Sequence, residues 1–394
     1  MLRLGVNMEV SHRKRAGRPG RPKAKLLSIL PLALHRDWEL KEEPAGSGQH
    51  HPHSINILAL SFALLIIIVF FIAGCGSPSR LQKKLGYLDD AIVLIVNADD
   101  VGLHADVTDA TIQAMKLGLV TSGSIMVPCP DFERTLSIWK KDPGLDFGIH
   151  LTLTCEWGRP YPWAPILSKD VVPSLFTQDG RMWPNVESLV QHSKLDEVLM
   201  EAEAQIRKVL DSGMHPTHLD AHMGWYKTNT KYFEGVMQLA QKYNLPMRVW
   251  QNLRTRLPWW PNDPAEMRRK GFIFPDSQVS FYFIKGEDEG NGHRQEKYSQ
   301  FLGGLHPGVH EAAIHLATRT AELETFMGPE DVELRKRDYD IWTGLATRII
   351  IQNRGIVLIG FRELQKLQKT NWLPYSPNSF AQGSSLRLVS HLWN

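Results

Sequence analysis

Two adjacent carboxylates, Asp99 and Asp100, close an apolar, β-branched run in the stretch AIVLIVNADDVGLH (Ala91–His104). On a regular strand neighbouring side chains point to opposite faces, so the pair can share one site only where the chain leaves the strand. The segment that follows, with Gly102 free to bend, supplies such a turn. Two carboxylates held together repel unless a cation neutralises one of them. The pair therefore suggests one Asp ligating a metal while its neighbour acts as a base. Three further segments carry histidine at strand-like positions: DFGIHLTLT with His150, PTHLDAH with His218, Asp220 and His222, and EAAIHLA with His315. His218, Asp220 and His222 fall at period two and face one side of a strand. A single strand histidine is commonly a core residue. An Asp pair and three His-bearing strand segments opening on one rim instead suit a hydrolytic metal site, in which one Asp and two imidazoles leave coordination positions open.

The elements that must hold these residues alternate along the chain. Strand-like runs are AIVLIVN, GSIMVPC, DFGIHLTLT, THLDAH, PMRVWQ, EAAIHLA and GIVLIGF. Helical patterns lie between them, among them DVTDATIQAMKLGLV ending at Gly118, KLDEVLMEAEAQIRKVLDSG stopping on Gly213, and KYFEGVMQLAQKYNLP ending before Pro246. Strands alternating with helices predict an α/β fold with a parallel sheet and right-handed crossovers, in which chemistry collects at the C-terminal strand ends. Asn252–Gln278, rich in Pro, Arg and aromatic residues, reads either as a loop on or near a substrate groove or as a packed surface insertion, and Trp259 and Trp260 within it suit stacking on sugar rings. Trp157, Trp163 and Trp183 could do the same, although core packing is the commoner use of a tryptophan.

Taken in order, IVNADDVGL, GLVTSGSIMVPCP, GIHLTLT, PTHLDAHMG and PGVHEAAIH resemble the YdjC-like carbohydrate deacetylases, relatives of the NodB-type polysaccharide deacetylases. The likeness runs from Leu85 to Leu367. It implies a distorted (β/α) barrel of the NodB type with one divalent metal at its C-terminal rim. On that resemblance Asp100, His150 and His222 are the metal ligands, Asp99 the general base and His315 the general acid. His218 and Asp220 orient the ligands. The implied substrate is an N-acetylated amino sugar or oligosaccharide, from which acetate is released. An Asp-His-His set suits Mg²⁺, Zn²⁺, Mn²⁺ or Co²⁺ and does not choose among them. The family's His-Pro is here His315-Leu316, and its Ser and Asn after the Asp pair are His104 and Thr108. RKRDYD (Arg335–Asp340) matches a family Arg-x-Asp element and reads as structural. Two rival readings are another metal-dependent hydrolase, such as a phosphoesterase or amidohydrolase, and a glycan-binding surface lipoprotein without turnover.

Charge and composition bound the rest. The 394 residues are 43% hydrophobic and 22% charged, with a net charge of +3. Residues 1–53 hold ten Lys/Arg against five Asp/Glu, so the remainder carries −2 and is no nucleic-acid binder. Residues 1–54 read as a disordered or mis-started leader. The uncharged run Ile55–Gly74, followed by Cys75, resembles a bacterial lipoprotein signal or an apolar anchor and predicts a membrane-tethered protein of the cell envelope. Residues 76–90 follow as a polar linker, 91–370 as the catalytic domain and 371–394 as an unassigned tail. Three cysteines leave at most one disulfide, and buried free thiols at Cys129 and Cys155 are expected. Oligomeric state is not legible.

Overall fold

The run from Ile92 onward is buried at every position after the first, as a central parallel strand with both faces covered requires. The computed structural model describes residues 81–157, 161–249, 264–281 and 293–371. Within them seven parallel strands form one curled sheet: β1 (Ile92–Val101), β2 (Ser122–Ile125), β3 (Phe147–Leu151), β4 (Leu219–Ala221), β5 (Ser277–Ser280), β6 (Gly308–His315) and β7 (Val357–Leu358). The order is β4-β3-β2-β1-β6-β5. One edge of β1 pairs with β6 from Ile92 to Asp99. Its other edge is divided, β7 taking Val93 and Leu94 and β2 taking Asn97 onward. The described part of the expected strand PMRVWQ, residues 246–249, forms a parallel bridge between Leu219 and Met247, and Trp250 and Gln251 lie outside the described residues. Among the described residues no pairing joins that end to β5, so the sheet is a half-barrel rather than a closed one. This is the expected α/β architecture.

The alternation along β1 explains how the rim is built. Leu94, Val96 and Ala98 face the outer helices and pack with Leu302, Ile314 and Trp342. Val93 and Ile95 face inward, in a plug with Val309, Phe361 and Leu364. The inward face then turns polar, with Asn97 and Asp99 buried above that plug. By parity Asp100 belongs to the outer face. Instead the β1–β2 register breaks between Ala98 and Val101, and Asp100 adopts a left-handed φ of 68°, uncommon for a residue with a side chain. That kink turns Asp100 back toward the inner rim beside Asp99. Gly102 follows at φ 88°, as the sequence required.

Two sequence readings are amended. The polar linker 76–90 contains a helical turn, Leu81–Lys84, whose Leu81 is buried against the Phe361 plug, with Leu85 and Tyr87 packed half-buried against the same cluster. The described part of Asn252–Gln278 holds a short helix, Pro264–Arg269, followed by turn and irregular chain up to the start of β5 at Ser277, and residues 252–263 lie outside the described residues. Trp259 and Trp260 lie outside the described residues. So do Ile55–Gly74, Cys75 and the tail from residue 372. No helix among the described residues is long and apolar enough to cross a membrane. Cys129 and Cys155 are both buried free thiols.

Candidate metal and catalytic site

The ends of β1, β3, β4 and β6 deliver their polar residues to a single cavity of about 420 Å³. Asp99, Asp100, His150, His222 and His315 all line it. Asp100 stands at its centre. His150 Nε2 lies 3.2 Å and His222 Nδ1 3.1 Å from the same oxygen, Asp100 Oδ1. Arg335 donates to the other oxygen, Oδ2, at 2.6 Å. His315 Nε2 is 3.9 Å from Oδ2. The three donor atoms of Asp100, His150 and His222 all lie within 4.8 Å of one another, close enough to share one cation.

Whether these residues fit a metal is decided by the far side of each ring. His150 Nδ1 is 2.7 Å from Asp220 Oδ1, and His222 Nε2 pairs with Glu156. A carboxylate on the opposite ring nitrogen fixes the tautomer and raises ligand basicity, the usual support of a metal-bound imidazole. Burial alone would lower both imidazoles, but the carboxylates outweigh it. Asp220 and Asp100 raise His150 to about 10, and Glu156 and Asp100 raise His222 to about 9. The donor set thus fits a divalent cation.

A second acidic cluster, Asp99, His150 and Asp220, also has metal-like spacing. There the protein supplies its own cation. The Arg248 guanidinium spans Asp99 (Nη1 to Oδ2 2.7 Å, Nη2 to Oδ1 2.8 Å), Asp220 (2.9 Å) and Glu311 (Nε to Oε1 2.7 Å). Burial disfavours the Asp99 carboxylate, but Arg248 and His150 hold it below the ordinary carboxylate range. Asn97 Nδ2 donates a further bond to Asp99 Oδ1 at 2.8 Å.

His218 sits deeper. Its Nε2 is 3.1 Å from Ser124 Oγ and its ring stacks on Phe361 at 3.9 Å. Ser124 Oγ donates to Asp220 Oδ2 at 2.7 Å. Burial pushes His218 down to about 3, so it is a neutral packing residue beneath Asp220. The strand β3 passes over it at Gly148, where a Cβ would lie 2.4 Å from the imidazole. Phe361 and Ser124 leave that ring nowhere to go. Gly148→Ala is therefore expected to cost at least about 1–3 kcal/mol of overpacking strain, read as a lowered urea midpoint.

The seven residues singled out in the sequence are brought together, with His218 one layer below the others. His104 and Thr108 are not in this cluster. His104 caps the helix Ala105–Lys116, its Nδ1 accepting from Asp106 N, and Thr108 Oγ1 accepts from Gly102 N at 3.1 Å. Leu316 is fully buried in the outer core. Arg335, read as part of a structural element, instead sits in the site, on Asp100 and 5.4 Å from the centre of the Trp157 ring. Trp157 lines the cavity, while Trp163 and Trp183 donate to backbone carbonyls in the surrounding packing. Sequence reasoning passed over Arg248, Glu311 and Glu156. The available signal was a charge inside an apolar strand, at PMRVWQ and at GVHEAAIH, since buried charges are rare unless paired.

The sequence matches the YdjC-like protein family over residues 93–353. It is 35% identical over 273 residues to a carbohydrate deacetylase of Brevibacillus brevis, covering 69% of this chain and 99% of that protein. With a carbohydrate deacetylase of Enterococcus faecalis it shares 38% identity over 157 residues, which is 39% of this chain and 57% of the relative's length. Among solved structures, an Enterococcus faecalis protein described as a candidate cellobiose-phosphate cleavage protein superposes with a TM-score of 0.58 at 28% identity, over 70% of this chain and 99% of that one. The chain belongs to the YdjC-like protein family.

Proposed function

We propose that this protein is a metal-dependent carbohydrate deacetylase that hydrolyses the N-acetyl group of an amino sugar or oligosaccharide. The observation that carries the reading is the convergence of His150 Nε2 and His222 Nδ1 on one oxygen of Asp100, with Asp99 beside it in the same cavity. Asp100, His150 and His222 would hold one divalent ion, which when bound polarises the acetyl carbonyl and lowers the pKa of water toward ~7. Asp99 accepts the proton of the attacking water, and Arg248 keeps it ionised to do so. Burial keeps His315 neutral in the free site, pushed down to about 4 against the pull of Asp100 and Asp99. Asp99 and His315 are register partners across β1 and β6. The proton then passes from Asp99 to His315, whose protonated form is favoured by the negative charge developing on the substrate, and His315 delivers it to the leaving nitrogen. The C–N bond breaks, giving acetate and a free amine.

A two-metal phosphoesterase is disfavoured, because Arg248 already neutralises the second acidic cluster. Reading Ile55–Gly74 and Cys75 as a lipoprotein signal would put the reaction on envelope glycans outside the cytoplasm. Incubation with chitobiose, longer N-acetylglucosamine oligomers and sugar phosphates tests the proposal. It requires acetate and free amine in equal amounts. Phosphate release, or glycan binding without acetate, would replace it with one of the rival readings.

A further inference from the structure

We infer that Glu311 is a positioning residue, which clamps the Nε edge of Arg248 so that the opposite edge of the guanidinium stays on Asp99. The inference rests on the proposed function in one respect, that Asp99 is the base. The clamp itself is geometric.

Glu311 lies on β6, four residues before His315 and therefore on the same face of that strand, opposite Ile95 of β1 and Gln278 of β5. It is 1% exposed. Its Oε1 accepts from Arg248 Nε at 2.7 Å. Its Oε2 is buried and, among the described residues, has no hydrogen-bond partner. Burial pushes the carboxyl up to about 7, although Arg248 pulls it down. For stability alone the arrangement is poor, since a buried acceptor without a donor has given up its hydration for nothing in return. The raised value adds a pH-dependent cost. The folded state binds the proton more tightly than the unfolded chain does, so stability is lost as pH rises from the ordinary glutamate range toward 7.

The placement makes sense for orientation. Arg248 Nη1 is shared by two carboxylates, Asp99 Oδ2 at 2.7 Å and Asp220 Oδ2 at 2.9 Å. Nothing in that shared contact stops the plane from swinging toward Asp220, which would break the two-point grip on Asp99. A guanidinium is rigid and planar, so a third bond at Nε fixes the plane. Glu311 supplies that bond from a strand paired along its length to β1, the strand that carries Asp99. Misplacing a reacting group by about 1 Å costs as much as ~10²-fold in rate.

The test compares Glu311→Gln and Glu311→Leu in the full chain. Gln keeps an acceptor for Nε without the charge, and Leu removes it. We expect Gln to retain kcat within about threefold and Leu to lose about 10- to 100-fold in kcat with KM little changed, a loss confined to the transition state. The Arg248 Nε–H resonance, assigned by its disappearance in Arg248→Lys, should be sharp and shifted downfield in wild type and Gln, and lost or moved in Leu. A Leu variant with unchanged kcat or an unchanged Nε–H resonance overturns the inference. So does a Gln variant as impaired as Leu. If the wild type releases no acetate from any acetylated sugar, the proposed function fails, and the Nε–H resonance still decides whether Glu311 holds Arg248.

Discussion

Asp99→Asn should reduce kcat for acetate release by about 10²–10⁴-fold, the usual contribution of a well-placed general base, while the chain keeps its metal. Asn preserves the size and one acceptor oxygen for Arg248 but cannot take a proton. Asp100, His150 and His222 make none of their mutual contacts through Asp99. Metal per chain, measured by elemental analysis, should be unchanged. The pH profile follows from the same contacts. A base works above its pKa, and although burial pushes the Asp99 carboxyl up, Arg248 and His150 hold it below the ordinary carboxylate range. Loss of rate through protonation of Asp99 should therefore set in at a lower pH than an ordinary aspartate base would give. A near-wild-type rate in Asp99→Asn would move the base elsewhere.

Arg248→Met should be the most damaging single change to stability. Three buried carboxylates, Asp99, Asp220 and Glu311, face the Arg248 guanidinium. Removing one partner of a buried ion pair typically costs about 3–5 kcal/mol, because the charge left behind is uncompensated. The sign of the pH dependence is specific. In the wild type, Asp99 and Asp220 are depressed, so their stabilisation is present above the unfolded carboxylate value and lost as pH falls through the folded ones. In Arg248→Met the folded values rise, and stability is instead lost as pH rises. The gap between the two proteins in urea unfolding should be large at pH 7 and narrow at pH 4. A gap under about 1 kcal/mol at pH 7, or one equal at both pH values, would mean the guanidinium is not what holds these carboxylates together.

What the sequence disclosed and what it hid divide along a physical line. Strand and helix periodicity made the parallel α/β sheet legible, and the histidines of β3, β4 and β6 were visible because polar residues stood out at the ends of apolar runs. The Asp pair posed its own question, and Gly102 hinted at the answer. Yet the device that turns Asp100 inward, a left-handed φ on Asp100 itself together with a register break, is not a feature of residue type and could not be read from spacing. Arg248 and Glu311 escaped for a different reason. Each sits alone in a strand pattern, and their meaning depends on partners 63 residues apart in sequence. Arg335 lies on a helix, Pro329–Thr343, which has weak amphipathic patterning and reaches Asp100 across 235 residues. Long-range pairing of buried charges is set by topology, and topology fixes it only once the sheet is assembled.

The measurement that tests the central claim most directly is acetate release from N-acetylglucosamine oligomers by the full chain, before chelation, after it, and after return of Mg²⁺, Zn²⁺, Mn²⁺ or Co²⁺ singly. Stripping should abolish release, at least one of these ions should restore it, and His150→Ala, lacking one of the two imidazoles that meet at Asp100, should be restored by none. Acetate release that persists undiminished in the stripped protein, or in His150→Ala, would contradict that claim.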